Sequence, residues 1–420
     1  MTEADFPNIS TAMRDVREHG RHEGTVAEVF TAFLKLGLTS FGGPIAHLGY
    51  FHRELIERRR WMNDASYGEL IALCQFLPGP ASSQLGFALG WIRAGWMGAL
   101  AAFVAFTLPS ALLLVGFARA LPALENTYGQ AIIHGLKLVA VAVVAQGLVT
   151  MARRLTPDAP RALIAAAAGA LVVISGFALA QLLVVALGAV LGLMFCRNAT
   201  EATGGTFNVR ISARAGVILV AVFALLLLLA LAAQNVQLPL ASVAAAFYRS
   251  GALVFGGGHV VLPLLADAVV TPGWISRDEF LAGYGAAQAV PGPLFSIAAF
   301  LGARIEGGQG GLPGAIVALI ALFLPGLLLV IGTLPLWRTL ARRRDAASAL
   351  AGINAAVVGL LAAAFYDPVW TSAVVAPADF AIALIAFAAL AATRVSVLVV
   401  VLWCVGASVA RLMLAFQAPA

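Results

Sequence analysis

The chain alternates between long apolar stretches and short polar breaks, and the breaks hold most of the charge. Nine uninterrupted apolar segments stand out, at about 95–120, 130–151, 162–178, 179–196, 213–234, 311–336, 348–366, 376–393 and 395–416. Their lengths fall near the roughly 17–25 residues that a membrane-spanning helix needs, so each is predicted to span. Four further apolar stretches are broken at their centres: 25–59 at Gly42-Gly43-Pro44, 64–93 at Pro78-Gly79-Pro80, 239–271 at Gly256-Gly257-Gly258, and 275–304 at Pro291-Gly292-Pro293. Pro-Gly-Pro cannot continue a helix, because two N–H donors are missing and the residue before each proline is pushed out of the helical region. Each arm is left with about 14 residues, or roughly 21 Å of helix. That falls short of a hydrocarbon core ~30 Å thick. The pattern predicts four re-entrant hairpins whose tips are buried in protein or face water, as freed backbone requires.

The broken stretches also reveal an internal duplication. Residues 33–44 read FLKLGLTSFGGP and residues 247–258 read FYRSGALVFGGG. Trp61 is followed by Gln75-Phe76-Leu77-Pro78-Gly79-Pro80, and Trp274 by Gln288-Ala289-Val290-Pro291-Gly292-Pro293. The offset is 214 between Phe41 and Phe255, 213 between Trp61 and Trp274, and 216 between Pro109 and Pro325. A near-constant offset carried by rare Trp and Pro identifies two homologous halves. The domain plan is an N-terminal cytoplasmic segment 1–24, a first repeat 25–200, a linker with a connecting transmembrane helix 201–238, and a second repeat 239–420.

Composition excludes a water-soluble enzyme: 61% of the 420 residues are hydrophobic and 11% charged, against about 25% charged in soluble domains. Residues 1–24 lack an apolar core, so no cleavable signal peptide is expected. The odd count of 3 cysteines, none at metal-ligand spacing, argues against a disulfide framework or a metal site. The basic residues comprise 24 Arg and 2 Lys, with most Arg in four clusters: 53–60, 153–161, 197–214 and 338–344. If the hairpins return to their own side and the nine segments span, all four clusters fall on one side, the cytoplasmic one, together with the N-terminus. Asp267, Asp278, Glu279, Asp367 and Asp379 fall on the other. If every broken stretch spanned once instead, the 153–161 cluster would be exported. The clusters are therefore loop markers, and no nucleic-acid partner is implied. In the re-entrant arrangement the two repeats start on opposite sides. The expected fold is an all-α polytopic membrane protein of two inverted-topology repeats, each with two broken, re-entrant helical hairpins followed by spanning helices. Secondary transporters share this plan, with broken helices meeting at the midplane; a scaffold of ligand-free hairpins is the plain alternative.

Both lysines sit inside apolar segments. Lys35 lies six residues before the Phe-Gly-Gly tip and its repeat partner is Arg249; intramembrane cations are costly and usually functional. The alternative is snorkelling to the interface. Lys137, with Asn354 as its rough counterpart, either faces an anion or pairs with a carboxylate elsewhere in the fold. No carboxylate lies mid-segment in the nine spans, which weighs against a cation carrier. Helix N-termini after each Pro-Gly-Pro, with Ser82, Ser83 and Ser296 alongside, are suited to a tetrahedral oxyanion. His47 and His259 follow the two glycine tips and either donate to an anion or pack on backbone. Gln75 and Gln288 either donate to the ligand or tie the broken backbone together. No nucleotide-binding or hydrolase motif is present. A membrane enzyme acting on lipid phosphates would need acidic or nucleophilic groups at the tips, where only Glu69 is near.

The doubled Phe-Gly-Gly and Gln-x-x-Pro-Gly-Pro pattern, at 41–80 and 255–293, resembles the chromate ion transporter family in its long, two-domain form. The resemblance covers essentially the whole chain after residue 25. It implies export of chromate across the bacterial inner membrane, chromate resistance, and competition by the isosteric sulfate dianion; a sulfate or other oxyanion carrier is the alternative. No cofactor is expected, and a homodimer is the candidate assembly. Gly258 replaces Pro44 in the second half, which puts the equivalence of the halves in doubt. The expected substrate-binding set is Lys35, Ser40, Phe41, Gly42, Gly43 and His47; Gln75, Pro78, Gly79, Pro80, Ser82 and Ser83; Lys137; Arg249, Phe255, Gly256, Gly257, Gly258 and His259; and Gln288, Pro291, Gly292, Pro293 and Ser296.

Overall fold

The computed structural model describes residues 24–175, 180–196, 211–233, 239–305, 310–337, 339, 343–393 and 395–417. Most of the expected N-terminal segment and parts of the linker lie outside the described residues, as do Arg197, Arg210, Arg338 and Arg342 of the basic clusters. The described residues are mostly helical, with no strand among them.

Each half opens with two broken elements. In the first, α1 (Val26–Thr39) gives way at Ser40–Gly42 to α2 (Gly43–Phe51), which runs on through a π-helical stretch to Arg58. Next, α3 (Asp64–Phe76) stops before Pro78-Gly79-Pro80 and α4 (Ala81–Ala120) follows. Non-helical φ/ψ at Ala94 and Gly95 divides α4 into a hairpin arm and a spanning part, at the boundary the apolar pattern predicts. The first half continues with α5 (Thr127–Leu155), α6 (Ala159–Ser175) and α7 (Ala180–Phe195), and α8 (Ala213–Ala232) connects the halves. The second half repeats the order as α9 (Pro239–Ala252), α10 (Val261–Val269), α11 (Arg277–Ala289), α12 (Ile297–Arg304), α13 (Gly311–Thr333), α14 (Arg344–Ala364), α15 (Pro377–Ala392) and α16 (Val397–Gln417). Local signals recur at the same offset. Asn63 and Ser276 cap α3 and α11, each side chain accepting the N–H of the residue three further on.

Residue contacts prove the hairpins. Trp61 Nε1 donates to Glu28 at 2.9 Å, Lys35 pairs with Glu54, and Phe33 meets Phe51 edge-on at 5.4 Å between ring centres. The chain therefore leaves one end at Glu28, turns at the glycines, and returns to that end at Trp61. Arg93, closing the second hairpin, pairs with Glu28 at the same end.

The spanning part of α4 shows how the halves are related. Its start lies by the first repeat's base, where Gly24 N–H donates to Arg93 O. In its middle, Ala105 and Phe106 lie against Gly37, while Phe106 and Ser110 lie against Gly292. Further on, Phe117 stacks on Phe300, which lies on the arm returning to the second repeat's base. The hairpins of the two halves thus enter from opposite ends and meet tip to tip, which is the inverted arrangement.

The tips are tied reciprocally. Gly79 N–H donates to Val254 O at 2.7 Å, and Gly292 N–H donates to Ser40 O at 2.9 Å. Both glycines hold positive φ, +123° and +102°, which a side chain rarely adopts. Gly258 lies directly against Pro44: a Cβ there would sit 2.8 Å from Pro44 Cγ. The substitution of glycine for proline in the second half thus has a steric reason, since the two tips cannot both carry a ring at the contact.

The described parts of all nine expected spanning segments are largely helical. Among the described residues, six runs are long and apolar enough to cross a membrane: Ala81–Leu124, Thr127–Leu155, Ala213–Ala232, Gly311–Leu336, Arg344–Ala373 and Val397–Leu414. The other three, α6, α7 and α15, have 17, 16 and 16 residues, which at 1.5 Å each is about 24–26 Å. Of the three, α15 is bounded by described residues at both ends, and a helix of its length crosses where the bilayer thins or flanking residues snorkel. Gly188 and Gly192 of α7 let its backbone close on Gly352 of α14, the small-residue packing that substitutes for a hydrophobic drive inside lipid.

Candidate functional site

Between the hairpin tips and the helices α5 and α14 lies a cavity of about 1230 Å³. One wall is α3 and its tip, with Ala72, Gln75, Phe76 and Gly79; another is formed by the glycine tips, Gly42 and Gly256–His259. The far wall is α14, with Ala347, Leu350, Ala351 and Asn354. The last three turns of α5 complete it with Gln146, Thr150 and Arg154, and Arg161 of α6, paired with Asp158, also lines it. No Asp or Glu lines the cavity among the described residues.

Its polar groups form a small network. Arg154 donates to Gln75 Oε1 at 2.6 Å, so the amide of the broken α3 holds a guanidinium at the cavity wall. Gln146, Thr150 and Arg154 follow at i, i+4, i+8 and share one face of α5, with Gln146 Nε2 donating to Thr150 Oγ1 at 3.2 Å. Opposite, Asn354 Oδ1 is buried without a hydrogen-bond partner, near the place a Gly256 side chain would occupy. A half-turn of that amide presents its N–H2 group instead. His259 fits beside Gly147, where a Cβ would approach its ring to 2.7 Å, and its Nδ1 faces Tyr284 Oη at 3.0 Å. A guanidinium and neutral amide and hydroxyl donors, with no carboxylate opposing them, suit an anion.

Of the residues expected from sequence, Gly42, Gln75, Gly79, Gly256, Gly257, Gly258 and His259 line this cavity. The others lie off its wall. Ser40, His47, Ser82, Ser83 and Ser296 are buried: His47 Nδ1 faces Ser82 Oγ at 3.3 Å, and Ser296 Oγ pairs with Ser110 Oγ at 2.7 Å. Phe41, Gly43, Phe255, Gln288, Pro78, Pro80, Pro291, Gly292 and Pro293 form the tips around and behind the lining residues. The glycine N–H groups of both Pro-Gly-Pro turns are used by the cross-repeat bonds, and Gln84 Nε2 donates to Pro78 O and Gly326 O. The breaks therefore lock the repeats together rather than presenting those glycine N–H groups to a ligand.

The three intramembrane cations are not brought together. Lys35 is exposed and pairs with Glu54 at 2.8 Å, and Glu54 also takes Arg58 and Arg59. Arg249 is part-buried away from the cavity wall. Lys137 pairs with Asp278 at 2.9 Å, so the carboxylate-elsewhere alternative describes its present position. What sequence reasoning misses is Arg154. In the chain it reads as one more member of the 153–161 loop cluster, although a polar stripe of Gln146, Thr150 and Arg154 at four-residue spacing in an apolar helix is the available signal.

Residues 27–193 and 241–409 each match the family described as Chromate transporter, covering both repeats. The chain is 31% identical to a probable chromate transport protein of Synechococcus elongatus over 79% of its own length and 81% of the relative's. It is 30% identical to the chromate transport protein of Cupriavidus metallidurans, covering 81% and 82%. To that of Pseudomonas aeruginosa it is 27% identical, covering 81% and 80%. No solved structure matches the chain. These relatives are transporters, not enzymes, and the several long apolar helices make this a multi-pass membrane protein. Two tandem matches, and relatives followed over four-fifths of their length, place the chain in the chromate transporter family.

Proposed function

We propose that the protein exports chromate from the bacterial cytoplasm across the inner membrane, loading the dianion in the cavity beside Arg154 and conferring chromate resistance. The observation that carries this reading is the cavity itself: Arg154 held by Gln75, amide and hydroxyl donors around it, and no carboxylate on the described wall. Its lining includes Arg154 and Leu155 at the end of α5, Arg161 of α6 and Ala347 near the start of α14, the chain ends that also carry Arg153, Arg343 and Arg344. By the positive-inside rule that end is cytoplasmic, so the cavity is open inward and the N-terminus is cytoplasmic. Excess basic residues at that end raise the local concentration of a dianion before it binds.

The test is chromate flux in membrane vesicles of both orientations. Inside-out vesicles should accumulate chromate saturably, and sulfate should compete, because both are tetrahedral dianions of similar size. Cells expressing the protein should retain less chromium than cells expressing Arg154→Gln. Equal accumulation with and without the protein in both orientations would refute export. Saturable sulfate flux with no chromate flux would replace the substrate.

A further inference from the structure

The two halves correspond beyond the tips. Gly135 of α5 lies against Val405 of α16, where a Cβ would come 2.6 Å from the Val405 Cα. Gly352 of α14 lies against Gly188 of α7 in the same way, 2.0 Å from its carbonyl oxygen. Both partners shift by 217 residues, which makes Lys137 the counterpart of Asn354. At the tips, Gln288 is the counterpart of Gln75.

These counterparts are treated differently in the present state. On one side the cavity separates α3 from α14, with Gln75 and Asn354 on its walls. On the other, α11 is closed on α5: Gly285 is so near Leu136 that a Cβ would sit 2.2 Å from its carbonyl oxygen. Lys137, on that seam, is buried and held by Asp278, whose side chain is 64% exposed. A fold of two equivalent halves that opens one seam can open the other by exchanging their conformations.

We infer that the α5–α11 seam is the closed gate of the second access route, and that Lys137 is the cation that meets the anion there once Asp278 releases it. This rests on the transport reading above. Helix α5 then serves both mouths, with Arg154 toward the open cavity and Lys137 17 residues earlier, about 25 Å away along the axis. Asp278 is the latch. It neutralises Lys137 while the seam is shut, and it leaves the cation unpaired when the seam opens.

Two measurements test this. In a background with Cys74, Cys196 and Cys404 replaced by Ala, Gln288→Cys is labelled with a membrane-impermeant thiol reagent from the outer face, without chromate. Adding Asp278→Asn should speed that labelling several-fold, while Arg154→Gln should not. Labelling of Gln288→Cys from the cytoplasmic face alone, both with and without the Asp278→Asn change, overturns the gate. Then the half-saturation for chromate is measured in right-side-out and inside-out vesicles. Lys137→Gln should raise it about 5- to 30-fold on the outer face and leave the inner face within twofold, the size expected for one charge-assisted contact with a dianion. Lys137→Arg should restore the outer-face value. The exchange Lys137→Asp with Asp278→Lys separates latch from ligand: recovery of outer-face affinity by the exchange overturns the role of Lys137 as ligand. Equal shifts on both faces overturn it too. Absence of saturable chromate flux in the unaltered protein refutes the transport reading instead, and the labelling result still decides the gate.

Discussion

Arg154→Gln is the perturbation that most directly probes the cavity. The guanidinium is exposed on the cavity wall and anchored by Gln75 Oε1 at 2.6 Å, so its position is fixed while its charge faces water. Two unit charges 4 Å apart in water attract by about 1 kcal/mol, so a dianion gains about 2 kcal/mol. Screening at physiological ionic strength, with a Debye length of about 8 Å, reduces this toward 1 kcal/mol. Removing the charge should therefore raise the half-saturation for chromate about 5- to 30-fold in inside-out vesicles, since about 1.4 kcal/mol is tenfold. The loss should be greatest at ~0.01 M salt, where the Debye length is about 30 Å, and shrink toward the lower end as salt rises. Arg154→Lys keeps the charge and should recover most of the affinity, while Arg153→Gln, one residue away and off the wall, should have little effect. An Arg154→Gln half-saturation within twofold of the unaltered protein at low salt would show that this cavity does not hold the anion.

Lys35→Gln should leave chromate half-saturation unchanged, because Lys35 is exposed and serves Glu54; with Arg58 and Arg59 still present, its stability cost should stay under about 1 kcal/mol. Glu54→Ala removes the anion shared by three partly exposed cations and should cost about 1–2 kcal/mol, read as a lower melting temperature in detergent. Gly258→Ala overlaps Pro44 Cγ and should cost about 1–3 kcal/mol, with partial recovery when Pro44→Gly is added; unchanged melting would refute the tip-to-tip contact. Gly79→Ala combines a φ of +123° with a Cβ 2.9 Å from Gly326 Cα, so folded protein on size exclusion should fall sharply, whereas Gly49→Ala, with open space around it, should behave as the parent.

The architecture is legible in the chain because its signals are local or periodic. Apolar run length marks the spans, Pro-Gly-Pro and the double glycines mark the breaks, and the repeated Trp and Pro mark the duplication. The hairpins follow from arms too short to cross, and the opposed approach of the halves follows from counting spans between the Arg clusters. Which charges meet is settled only in the packed molecule. Glu54 lies 19 residues from Lys35 and Asp278 lies 141 from Lys137, and no periodicity links such positions. Burying a lone ion is costly, and the buried members of these pairs, Glu54 and Lys137, found partners through folding. For the same reason the cation at the cavity is Arg154, which reads as a loop marker in the chain and becomes a wall residue because α3 breaks beside it. The packing of Gly258 on Pro44 is equally invisible in the chain, since a contact across the two-fold relation exists only once the halves have met.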